Sequence, residues 1–280
     1  MAPTFVIARL TFREAARRKI LLAALLLGLV FLALYGTGLY FTHQDFARSG
    51  ELRNPLISNP IFNFLLLAGL YVVNFLFAVM TVLTSVDTVA GEIASGTVHA
   101  IAAKPVRRWE ILLGKWLGFV VMMTLYLVLM AGGVTTLSRT LTGYVAPHML
   151  RGLSLIWLNG MVLLNLSLLG GVYLSTLANG VVAFAAYGIA FLGGWLEQIG
   201  SLLHSTTAVN VGIVSSLLMP GEALWKRAAF EMRSPVVDVI GFSPFTSGSS
   251  VPSPLMIVYA IAYAMLALGL ALWGFSRRDL

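Results

Sequence analysis

Apolar residues in this chain gather in nearly uncharged blocks at 20–40, 61–86, 116–137, 153–177, 181–198 and 255–275. Each block is long enough for a helix to cross a hydrocarbon layer about 30 Å thick. The first holds 12 residues of the Leu, Ile, Val and Phe class and no charge. At about −0.3 to −0.6 kcal/mol each, these outweigh any polar cost by several kcal/mol, whereas one central charge would cost about 2.5 to 3.5 kcal/mol. Backbone polar groups in lipid need partners within the segment, so blocks this uniform predict helices; a barrel would show strands of about ten residues with alternating polarity, which is absent. The pattern predicts an all-α, polytopic membrane protein of about six spans forming a single domain, 1–280.

Composition sharpens this. Of the 280 residues, 59% are hydrophobic and 10% charged, against roughly a quarter charged in soluble domains, and the mean hydropathy is +0.90. The 18 Lys and Arg residues divide unevenly between alternate connections. With the N-terminus inside, 11 fall inside (Arg9, Arg13, Arg17, Arg18, Lys19, Lys104, Arg107, Arg108, Lys115, Arg277, Arg278). The other 7 fall outside (Arg48, Arg53, Arg139, Arg151, Lys226, Arg227, Arg233). Both termini are therefore expected in the cytoplasm of a cell-membrane protein. A pI near 9.9 then reflects basic residues meeting anionic lipid, not a nucleic-acid surface. The first apolar block is too long for a cleaved signal and is expected to be retained. The absence of cysteine excludes disulfides, thiol catalysis and cysteine metal sites.

Three stretches outside the spans carry the remaining information. Residues 4–19 (TFVIARLTFREAARRK) interleave apolar positions with Arg9, Arg13, Arg17 and Arg18, which suits either an interfacial helix or a basic flank that sets orientation. Residues 91–115 (GEIASGTVHAIAAKPVRRWEILLGK) are long for a turn and short for a domain, with Gly96 and Pro105 as punctuation. They read as a short helical projection whose charges form a docking surface or a solvated loop. Residues 202–254 make a long outer connection, in which Pro220 and Glu222 start a short helix. Its Leu224, Trp225, Ala228 and Phe230 are expected on an apolar side, with Lys226, Arg227 and Glu231 in water on the outer membrane surface. This connection is expected to cap the bundle, to gate release, or to hold an extracytoplasmic partner.

The stretches FREAARRKILL from Phe12, DTVAGEIASGTVHAIAAKPVRRWEILLGKWLG at 87–118 and the closing FSRRDL from Phe275 resemble the permease subunits of type-2 ABC transporters. That resemblance implies a cytoplasmic coupling segment between spans two and three, carried here by Glu92, Gly96, Thr97, Lys104, Pro105, Arg107, Arg108, Gly114 and Lys115, with Arg13, Arg17 and Arg18 on the N-terminal helix beside it. It also implies an exporter working as a dimer, with a second copy or a related permease, and a separate ATPase subunit. Nothing here matches a G-x-x-x-x-G-K-[ST] phosphate loop: Gly114 and Lys115 are followed by Trp116. The chain is thus expected to be no enzyme and to bind no cofactor, with ATP and Mg held by the partner.

Other classes fit less well. The four histidines, His43, His99, His148 and His204, fall in no metalloprotease spacing, and no G-x-S-x-G occurs. A secondary transporter, which usually shows repeats and charged midplane residues, and a non-transporting anchor subunit remain the alternatives. Among intramembrane polar groups, Asn63, Asn74, Asn165, Ser167 and Ser175 are uncharged, and Glu197 is expected at the outer interface. Ser167, Gly171 and Ser175 recur every four residues, a face suited to close packing within the chain or to dimerisation.

Overall fold

The computed structural model describes residues 3–17, 19–94, 107–234 and 251–277. Among them the regular structure is helical: α1 (Pro3–Arg17), α2 (Lys19–Ser49), α3 (Pro55–Ala94), α4 (Arg108–Thr142), α5 (Met149–Tyr173), α6 (Thr176–Leu202), α7 (Thr206–Leu218), α8 (Gly221–Met232) and α9 (Leu255–Arg277), with a 3-10 turn at Glu51–Arg53. Six of these, α2 to α6 and α9, are long and apolar enough to cross a membrane. The face of the bundle that carries α1 is called proximal below, and the opposite one distal.

Each expected block became a helix, but the ends moved. Helix α3 has 40 residues and α4 has 35, so they reach about 60 and 50 Å at 1.5 Å per residue, well beyond a 30 Å apolar layer. The predicted span 153–177 stops at Tyr173, because Leu174 turns extended and Ser175 caps α6, its Oγ accepting from the Ala178 N–H at 3.4 Å. Only Ser175 and Thr176 interrupt the apolar residues at this break, too few for hydropathy alone to stop at it. At the distal end of α4, Gly143 adopts φ +70° and donates to the Arg139 carbonyl at 3.1 Å, the left-handed stop that glycine favours.

Helices α3 and α5 form the centre. Two thirds or more of their apolar windows are buried, against 6% for α2, which leaves one side of α2 to lipid or to another chain. Phe77 fits against α5 because residue 160 is glycine; a Cβ there would lie 2.3 Å from the ring. Hydrogen bonds between helices replace the hydrophobic drive that lipid removes. The Asn159 amide donates to Asn74 at 3.0 Å, Ser85 donates to Ser167 at 2.8 Å, and Asn179 donates to the carbonyls of Val86 and Ser167. The small-residue face of α5 thus packs against α3 within the chain, with Gly171 facing Val89, while Ser175 lies beyond the helix end.

The connection after α6 departs most from expectation. Helix α7 turns back beside α6, with Ala208 at Gly200, Gly212 at Glu197 and Ser215 at Gly193. A bend of 102° follows at 219–220. Helix α8 then returns along α5, from Gly221 beside Asn159 to Met232 beside Gly152. The pair is a re-entrant hairpin whose tip lies at the level of Asn159, ten residues inside α5, and not a helix resting on the surface.

Candidate functional site

At the proximal face, α1 buries Thr11 and Ala15 and leaves Arg13 and Arg17 exposed. It rests on the first turns of α4 at two glycines four residues apart. A Cβ on Gly114 would stand 2.8 Å from the Thr4 carbonyl oxygen and from Ile7 Cβ; one on Gly118 would stand 2.8 Å from the Ala8 carbonyl oxygen. Glycines at this spacing open a groove for backbone-to-backbone contact. The residues between them turn into the bundle. Lys115 is buried and its Nζ donates to the Thr88 carbonyl at 3.3 Å; Trp116 Nε1 donates to Asn165 Oδ1 at 2.7 Å, and Asn165 donates onward to the Ala264 carbonyl at 2.9 Å. The run from Gly114 to Gly118 therefore ties α1 and α4 to α3, α5 and α9.

Arg107 precedes α4 in extended conformation and is exposed; its N–H donates to the Glu110 carboxylate at 2.9 Å, so Glu110 closes the helix start. Arg108 is half-buried in the first turn. Glu92 lies in the last turn of α3. Gly96, Thr97, Lys104, Pro105 and Arg18 fall outside the described residues. Asp87, one turn before Gly91, accepts from the Thr176 hydroxyl at 3.2 Å and so fastens α3 to the start of α6. Of the residues expected to dock a partner, Arg13, Arg17 and Arg107 are exposed, whereas Gly114 and Lys115 work inside the fold. The Gly114 and Gly118 pair was legible as G-x-x-x-G but hidden behind the Gly-Lys pairing.

On the distal side, Lys226, expected in water, is buried, and its ammonium pairs with Glu197 at 2.8 Å and donates to the Gly194 carbonyl at 3.2 Å. Glu197, expected at the interface, is 6% exposed. Glu222 is buried next to them and accepts from the Tyr71 hydroxyl at 3.5 Å, with Trp225 packed on Tyr71 at 4.9 Å between ring centroids. The intramembrane polar inventory is thus richer than the spans suggest. A lysine reads as solvent-seeking along one helix, but here its partners come from another element, and pairing makes burial tolerable. Asn63 holds the end of α8, donating to the Met232 carbonyl at 3.0 Å and accepting from the Ser234 N–H at 3.2 Å. Between α6, α7, α8 and α9 lies a cavity of about 350 Å³, lined by Glu197, Ile213, Ser216, Ala223, Met256 and Tyr259. His148 and His204 occupy turns at positive φ, and His43 sits 6.4 Å from the Phe62 ring; His99 lies outside the described residues.

Six apolar helices around a centre fastened by asparagines, with an amphipathic helix seated on one face, define a multi-pass membrane protein. Residues 5–280 match the family described as ABC-2 family transporter protein, and the chain belongs to that family. No curated protein matches it.

Proposed function

We propose that this chain is the membrane-spanning permease subunit of an ATP-driven exporter, that it pairs with a second permease, and that it takes its energy from a separate ATPase docking on the proximal face. Membership of the ABC-2 family supports the permease reading. The observation that carries the coupling is the seating of α1 on Gly114 and Gly118. A push on the exposed Arg13 or Arg17 reaches α4 through the close contact of the α1 backbone, Ile7 and Thr11 with Gly114 and Gly118, and one on Arg107 reaches α4 directly. Both reach α3, α5 and α9 through Lys115, Trp116 and Asn165. Glu92, Gly96, Thr97, Lys104, Pro105 and Arg108 are assigned to the same docking role on the family resemblance, with ATP and Mg on the partner.

In this reading the proximal face is cytoplasmic, in keeping with the basic bias, and the distal hairpin faces outward in the cell membrane. Affinity purification of the tagged chain from its native membrane in mild detergent, followed by identification of co-purifying proteins and an ATP hydrolysis assay, tests it. A P-loop ATPase should accompany the chain and hydrolyse ATP. A chain that purifies alone and supports transport without ATP sinks the proposal and leaves a secondary transporter.

A further inference from the structure

We propose that the distal face binds the phosphate of an anionic phospholipid headgroup through Arg151 and Arg227. Arg227, on α8, donates to Glu231 at 2.7 Å, and Arg151, in the first turn of α5, stands 3.8 Å from the other oxygen of the same carboxylate. Two guanidiniums share one carboxylate, so the pair keeps a net positive charge. Arg227 is 19% exposed against 70% for Arg151, so Arg151 presents most of the pair's excess charge; Arg227 Nε, without an acceptor among the described residues, is buried and takes no part. Phe230 holds the group in place: the Arg227 and Arg233 guanidiniums lie 5.1 and 4.0 Å from its ring centroid, which fixes side chains that would otherwise lose entropy on binding.

Arg151 is 70% exposed, and Leu150, which precedes it in the chain, is 84% exposed. A large exposed apolar residue next in sequence to an exposed cation, at the end of a membrane-crossing helix, matches the depth at which acyl chains give way to headgroups. A lipid phosphate with its chains alongside satisfies both; a soluble anion would leave Leu150 in water. The cluster is separate from the proximal docking face.

The test is native mass spectrometry of the full chain, titrated in detergent with phosphatidylglycerol and, separately, with phosphatidylcholine. Arg151→Gln should weaken phosphatidylglycerol retention about fivefold, and Arg151→Gln with Arg227→Gln by more, on the scale of one surface charge each. Arg151→Lys should retain most of it, and Glu231→Gln, which releases both arginines, should strengthen it. Phosphatidylcholine should respond less to all four. Unchanged retention in Arg151→Gln, whose exposed side chain makes misfolding no excuse, overturns the proposal. So does weakening in Glu231→Gln, or full displacement of phosphatidylglycerol by millimolar inorganic phosphate, which would identify a site for a soluble anion.

Discussion

Removing the carboxylate of Glu197 takes away the only side chain hydrogen-bonded to the buried Lys226 ammonium among the described residues, leaving it the Gly194 carbonyl and the nearby Glu222. Breaking one side of a buried ion pair costs about 3 to 5 kcal/mol, whereas replacing both sides with apolar residues of similar volume is often neutral. Glu197→Gln should therefore destabilise the fold by several kcal/mol, and Glu197→Leu with Lys226→Met should recover most of that loss, both read from reversible unfolding in mixed micelles. A double variant as unstable as the single would show that Lys226 is not held by that pair. The Asn165 bridge between Trp116 and Ala264 belongs to a weaker class, since hydrogen bonds between membrane helices average about 0.6 kcal/mol and rarely exceed about 1.7. Asn165→Leu should accordingly cost less than Glu197→Gln by a margin unfolding can resolve. The opposite order would mean that the bridge is structurally dominant and the ion pair incidental.

Among the elements, α1 depends on what α4 lacks. A leucine at Gly118 would collide with the Ala8 carbonyl and Thr11, and overpacking of this kind costs about 1 to 3 kcal/mol, enough to unseat a helix held mainly on one face. Thr11 is 8% exposed and the chain has no native cysteine. Thr11→Cys should therefore react slowly with a soluble maleimide alone and readily when combined with Gly118→Leu. Equal rates would mean that the glycines do not seat α1. The six spans were legible because a block of uncharged apolar residues has one stable outcome in lipid, but their ends were not. Helices α3 and α4 run on beyond the apolar layer through residues no hydropathy rule requires to be helical, and the end of α5 is marked only by Ser175 and Thr176 in an otherwise apolar stretch. The α7–α8 hairpin was illegible for a different reason. Its amphipathic pattern resembles that of a surface helix, and only the pairing of Lys226 with Glu197, 29 positions earlier, lets its polar side turn inward. For the proximal residues, the sequence pattern distinguished basic from apolar positions but not exposed Arg107 from buried Lys115, whose partner Thr88 lies on another helix.

For the whole molecule, six crossings place α1 and the end of α9 on one face and the α6–α7 turn on the other. Arg13→Cys should be labelled by an impermeant thiol reagent only after permeabilisation, and His204→Cys should be labelled in intact cells; the reverse pattern would invert the topology and move the docking surface outside. Since α2 is so little buried within the chain, pairing with a second permease has surface available, and a purified complex should carry two permease chains. If the proximal face receives the work of a separate ATPase, the affinity of the co-purified ATPase for the permease should differ between wild type and Arg13→Glu with Arg107→Glu. Reversing charges that meet a partner changes association strongly, so binding should be at least about tenfold weaker, a loss of about 1.4 kcal/mol, with no weakening in the distal variant Arg151→Gln. Affinity unchanged by the proximal reversals, or lost equally with the distal one, would contradict that role of the proximal face.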